Sequence, residues 1–238
     1  MTAWVAGVDG CKAGWIAVLV ADAGATEIVV TPRFADILAH RYAPSIIAVD
    51  MPIGLPDRVG PGGRGPERLV RAKLGNRQSS VFAIPPRSAV MAESYAEATS
   101  ASLEASTPPR KVSRQAFGLF PKIREIDALM TPALEDRLYE SHPELAFWAL
   151  NGQRPMALPK KARGVPHPAG LNERRALLIH SGYDAALLST APRGAGPDDV
   201  LDAAVLALIA RRIAGGKAES FPSMPERDAK GLRMAIWA

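Results

Sequence analysis

The run Ser45-Ile46-Ile47-Ala48-Val49-Asp50 constrains the fold more than any other stretch of the chain. Its apolar residues do not alternate with polar ones, so a strand here must be covered on both faces. It is reached through Phe34 to Tyr42 (FADILAHRY), whose apolar positions recur at helical spacing. A strand joined through a helix runs parallel to a sheet neighbour, and the geometrically easy neighbour is the first strand. Trp4 to Asp9, Trp15 to Val20 and Glu27 to Thr31 are short and rich in Val and Ile, and they read as strands one to three. Gly10 and Gly14 punctuate one turn and Asp22-Ala23-Gly24 the next, so these strands form an antiparallel meander. An α/β fold with a mixed sheet follows.

Beyond Asp50 the pattern changes. Gly60-Pro61-Gly62-Gly63-Arg64-Gly65-Pro66 reads as a surface excursion, and residues 57–132 as a helical insertion within a single domain spanning 1–238. Helices are expected over Glu67–Leu74, Ser94–Ala105 and Ser113–Leu129. A strand follows over Arg137–Glu140, and Pro143 stands where a helix can begin. Helices are also expected over Leu171–Ser181 and from Pro197, the last one (VLDAAVLALIARRI) apolar on most faces and therefore deeply packed.

With 238 residues, 47% hydrophobic and 22% charged, the chain can bury a substantial core. No apolar run is long enough to span a bilayer, which argues against a membrane role. The N-terminus lacks the features of a signal peptide, and the single Cys11 excludes an internal disulfide; both fit a reducing cytoplasm. A net charge of +5 mildly favours a polyanionic partner.

Two aspartates then demand explanation. Asp9 and Asp50 each close a buried apolar run, so adjacent parallel strands bring them to the same sheet edge. Carboxylates that close repel unless a cation joins them. Asp199 and Asp202 are spaced i, i+3 near the start of the last helix and share a face. Four oxygen-bearing side chains suit Mg²⁺ or Mn²⁺ and the chemistry of phosphoryl transfer. Each has a plainer reading: Asx turns for Asp9 and Asp50, a dipole partner for Asp199. Asp202 resists one, because its helix is otherwise apolar for a dozen residues. Asp198, after Pro197, reads as the helix N-cap. Glu140 closes a strand and is a further candidate ligand. Glu144 is another candidate that could instead cap the following helix through its first turn, and His142 between them is a ligand or proton shuttle to be weighed against a structural role. Arg71, Arg77, Arg87, Lys122 and Lys160 are candidate phosphate-binding residues, each also readable as a solvated charge. The Gly-rich loop is no P-loop, since no Lys-Ser/Thr follows it.

The motifs GVDGCKAGW, AVDMPIGLP, RAKLGNRQSSVFAIPPR, QAFGLFPKIREID, YESHPELAFWAL and DDVLDA, in this order, resemble the family catalogued as domain of unknown function 429. The resemblance covers nearly the whole chain. It implies a ribonuclease-H-like fold, strand order 3-2-1-4-5, and membership among predicted nucleases. More distantly the chain resembles RuvC-type Holliday-junction resolvases, whose pattern of a first-strand Asp, a fourth-strand acid and a D-x-x-D pair is matched by Asp9, Asp50, Asp199 and Asp202. It departs in having Asp rather than Glu on strand four and in the large insertion. The expected activity is metal-dependent phosphodiester hydrolysis on nucleic acid. The alternatives are an actin-like small-molecule phosphotransferase and a binding module without catalysis.

Overall fold

The computed structural model describes residues 2–162 and 164–238. Its centre is a mixed sheet of five strands: β1 (Trp4–Cys11), β2 (Gly14–Ala21), β3 (Thr26–Thr31), β4 (Ile46–Val49) and β5 (Leu138–Glu140). The strand order is β3-β2-β1-β4-β5, the ribonuclease-H-like arrangement. β1 to β3 form the antiparallel meander, and β4 lies parallel to β1 with Val5 opposite Ile46 and Val8 opposite Val49. β5 continues parallel to β4, with Glu140 opposite Val49.

Helices cover both faces. α1 (Phe34–Leu38) joins β3 to β4; α2 (Gly65–Leu74), α3 (Arg87–Met91), α4 (Tyr95–Ala105) and α5 (Arg114–Leu129) lie between β4 and β5. After β5 come α6 (Pro143–Leu150), the two-residue strands β6 (Lys161–Ala162) and β7 (Val165–Pro166), then α7 (Pro168–His180), α8 (Ala185–Ser189) and α9 (Pro197–Ala214). The period of two in β-structure divides the core. Val5, Val18 and Ala48 face α6, α7 and α9, whereas Ala6, Leu19, Ile47 and Val49 face the side that α1 and α5 cover. No helix among the described residues is long and apolar enough to cross a membrane.

Gly7 sets how closely α9 approaches. A Cβ there would lie 2.0 Å from the Ala207 nitrogen and 2.2 Å from the Ala203 oxygen, so only glycine lets the helix backbone rest on β1.

Three expectations are corrected. The helix predicted to Tyr42 stops at Leu38, where Tyr42 turns back to stack on Trp4 with ring centroids 3.9 Å apart. The Gly/Pro loop is no surface excursion, because Arg64 is buried and its guanidinium bonds Glu67, Glu140 and the carbonyls of Ile53 and Gly54. The C-terminus forms an unforeseen hairpin, β8 (Ser220–Arg227) and β9 (Arg233–Trp237). Its prolines, Pro222 and Pro225, argue against a central strand, and a two-stranded ribbon is where they are tolerated.

Candidate functional site

Asp9 and Asp50 owe their proximity to strand register. The Asp50 amide donates to the Val8 carbonyl at 3.0 Å, carrying the β1–β4 ladder one step past Val8 and Val49. Asp9 and Asp50 therefore stand side by side on the α9 face, on strands roughly 4.8 Å apart. The Asp9 carboxylate also accepts the Gly10 amide at 2.7 Å, so the Asx-turn reading describes one of its oxygens.

The approach at Gly7 brings the first turns of α9 over this edge. Asp202 is buried there, and Asp199 accepts the Gly196 amide at 2.8 Å. The N-cap is Gly196 and the capping carboxylate Asp199, which corrects the expected cap at Asp198. Asp198 instead pairs with Lys161 at 2.5 Å, while Lys160 pairs with Asp202. The segment bearing these lysines is held by α7. Glu173 accepts the amides of Ala157 and Leu158 at 2.8 and 2.9 Å, and Arg174 donates to the Leu158 carbonyl at 2.9 Å.

The charges do not balance. Burial raises the pKa of Asp9 well above the usual carboxylate range, and Asp50, Asp202 and Asp199 raise it further, against the opposing pull of Lys160. Burial also raises Asp50, with His142 and Lys160 opposing. Asp202 is pushed up to about 7 by burial, against Lys160 and with Asp50 and Glu144 adding repulsion. Burial works against the charge of Lys160, but Asp202 and Asp9 outweigh it and hold the ammonium above its ordinary range. One oxygen of Asp202, Oδ1, is buried with no partner among the described residues.

The oxygen-only donor set has the chemistry of a hard divalent cation. Among the described residues, however, no group of three or more His, Cys, Asp or Glu side chains is arranged to hold an ion. The Lys160 ammonium stands among the carboxylates instead, and an incoming ion must displace it or share it.

The other candidates separate. Glu140 stands opposite Val49, one residue out of step with Asp50, and so belongs to the opposite sheet face. Its Oε1 accepts from Arg64 and its Oε2 from the Ile53 amide at 2.7 Å. Glu144 caps nothing; it receives a bidentate grip from the fully buried Arg174 at 2.6 and 2.7 Å. Arg71 bonds the carbonyls of Val81 and Gly62, and Arg87 bridges Asp127 at 2.9 Å and Asp228 at 2.6 Å. Both are committed to the protein's own groups. Lys122 donates to the Gly14 carbonyl, lies over the Trp15 ring and lines a cavity of about 190 Å³ that reaches Asp9 and Asp50. Arg77 and Lys160 line a second, of about 440 Å³, that also reaches Asp50. Phe82 and Ser80 line both cavities, and sequence reading passed over them. Their signal was position, just after a cluster of basic residues and within the family motif RAKLGNRQSSVFAIPPR.

The sequence profile of the family Protein of unknown function (DUF429) matches residues 7–227. The chain belongs to this family. No curated protein and no solved structure matches it. The matched span runs from Gly7 to Arg227 and so includes Asp9, Asp50, Asp199 and Asp202, together with Lys160 and Lys161.

Proposed function

We propose that this DUF429 protein is a metal-dependent phosphodiesterase acting on nucleic acid. The observation that carries the reading is the gathering of Asp9, Asp50 and Asp202 at one sheet edge, where burial and mutual repulsion leave them short of positive charge. These three residues, not grouped for an ion while the Lys160 ammonium stands among them, would hold Mg²⁺ or Mn²⁺ once it is displaced. Asp199 would add its free oxygen, and Glu140 would lie outside the set. When bound, such an ion activates water and stabilises a departing oxyanion. Lys160 balances the carboxylates in the resting protein, and once displaced it is placed to meet a substrate phosphate with Lys161 and Arg77. His142, which lines both cavities with Asp50, would be the side chain that moves a proton.

The test is hydrolysis of labelled DNA and RNA of several shapes in Mn²⁺, with Asp9→Asn alongside. The reading expects cleavage by the wild-type protein alone; equal cleavage by both would mark a contaminant and overturn it.

A further inference from the structure

The two cavities at Asp50 differ in chemistry while sharing a wall. The smaller is bounded largely by carbon, from Met51, Pro52, Val81, Ile84 and Leu119. The larger carries Arg77, Lys160 and Lys161 with the polar side chains of Ser79 and Gln115. Asp50, Ser80, Phe82 and His142 belong to both, so the carboxylate edge lies where the two meet. Together the volumes fall in the range of roughly 300–1,000 Å³ usual for small-molecule sites.

Two buried nitrogens at this place have no partner among the described residues: Arg77 Nε and His142 Nδ1. The other ring nitrogen of His142 lies 3.3 Å from the Ser80 carbonyl. A carbonyl only accepts, so Nε2 carries the proton in that contact and a neutral ring leaves the Nδ1 lone pair bare. Buried polar groups ordinarily find partners, and these two have none among the described residues. A guanidinium that shares a cavity with two lysines is suited to phosphate, and an aromatic ring beside carbon-lined space is suited to a planar ring.

We infer that the two cavities form one site for a single nucleotide unit. Its phosphate lies in the basic cavity against Arg77 and Lys161, its base lies in the apolar cavity against Phe82, and its ester linkage lies at Asp50. This rests on the phosphodiesterase reading for its orientation only. The unit is either a free mononucleotide or the end of a strand.

Calorimetry in EDTA tests the site without hydrolysis. AMP and UMP are compared with adenosine, uridine and inorganic phosphate, and a 5′-phosphorylated decanucleotide with a closed circle of the same sequence. At least one mononucleotide should bind about tenfold or more tighter than its nucleoside and than phosphate. Arg77→Ala should remove that advantage and leave nucleoside binding unchanged; Phe82→Ala should weaken nucleotide and nucleoside alike and leave phosphate unchanged. Binding by the decanucleotide but not the circle identifies strand ends as the source. Binding by mononucleotides alone identifies the free nucleotide. Mononucleotides no tighter than phosphate, or a circle bound as tightly as the open strand, would overturn the inference. Asp9-dependent hydrolysis without mononucleotide binding would sink the site alone, and mononucleotide binding without hydrolysis would sink only the phosphodiesterase reading.

Discussion

Burial and mutual repulsion raise the pKa of Asp9 and Asp202 in the folded chain above the values an unfolded chain would show. Their folded pKa values lie above the ordinary carboxylate value near 4, that of Asp202 at about 7. The folded state therefore binds more protons between about pH 4 and pH 7, and stability must fall as pH rises through that window. In EDTA the melting temperature should drop from pH 5 to pH 8, and Asp9→Asn should shrink the drop while raising the melting temperature at pH 8. For a chain of this length each kcal/mol of repulsion relieved is worth about 2–4 °C. A flat wild-type profile would show that the carboxylates are already neutralised. Lys160 gives the complementary experiment. Its ion pair with Asp202 is buried on the carboxylate side and partly exposed on the lysine side. Lys160→Ala should therefore cost on the order of 1–3 kcal/mol in EDTA, between the exposed and buried limits. Mn²⁺ should stabilise this variant more than the wild type, since no ammonium then competes. Equal shifts in thermal scans would mean that ion and lysine do not share a place.

At the scale of elements, the site is a consequence of two fits: the β1–β4 register and the seat of α9 on Gly7. The second is the more fragile. A side chain at Gly7 meets backbone atoms of Ala203 and Ala207, which cannot rotate aside. Gly7→Val should therefore cost at least about 3 kcal/mol, the upper end of overpacking penalties. Urea unfolding measures it, and a midpoint within error of the wild type would refute the close packing. This contrast also explains what could be read in the sequence. Asp9, Asp50 and Asp202 were legible because each interrupts an apolar run, and a charge there requires a reason. Glu140 resembled them by the same criterion, but facing depends on register. A shift of one residue sends a side chain to the other side of the sheet, and register between strands ninety residues apart is not written locally. Arg64 was hidden for another reason. Its glycine and proline neighbours signal a loop and say nothing of whether the loop turns inward.

For the whole molecule, the question is what fastens the segments between β4 and β5 and the C-terminal hairpin to the sheet. Strand order and helix placement followed from pattern and family resemblance, but this fastening is tertiary and left no periodic trace. Arg87, at the start of α3, is the junction: it bonds Asp127 of α5 and Asp228 of the turn between β8 and β9. Asp228 in turn accepts the amides of Leu55 and Leu232, each within about the length of an ordinary hydrogen bond, at 3.0 and 2.9 Å. Lys230 adds a second cation on Asp127 at 3.0 Å. Two acids from distant parts of the chain are thus neutralised by one guanidinium that is mostly buried. Removing it strands both charges, which for fully buried pairs costs about 3–5 kcal/mol; Lys230 compensates Asp127, so the lower part of that range applies. Arg87→Ala should accordingly lower stability by about 3–4 kcal/mol in chemical unfolding. It should leave hydrolysis per folded molecule, and affinity for a phosphate-bearing ligand, within about twofold of the wild type. Arg77→Ala should show the reverse, with little change in stability and a large loss of affinity. A loss of affinity in Arg87→Ala at wild-type stability would return Arg87 to the phosphate-binding residues and remove it from the framework.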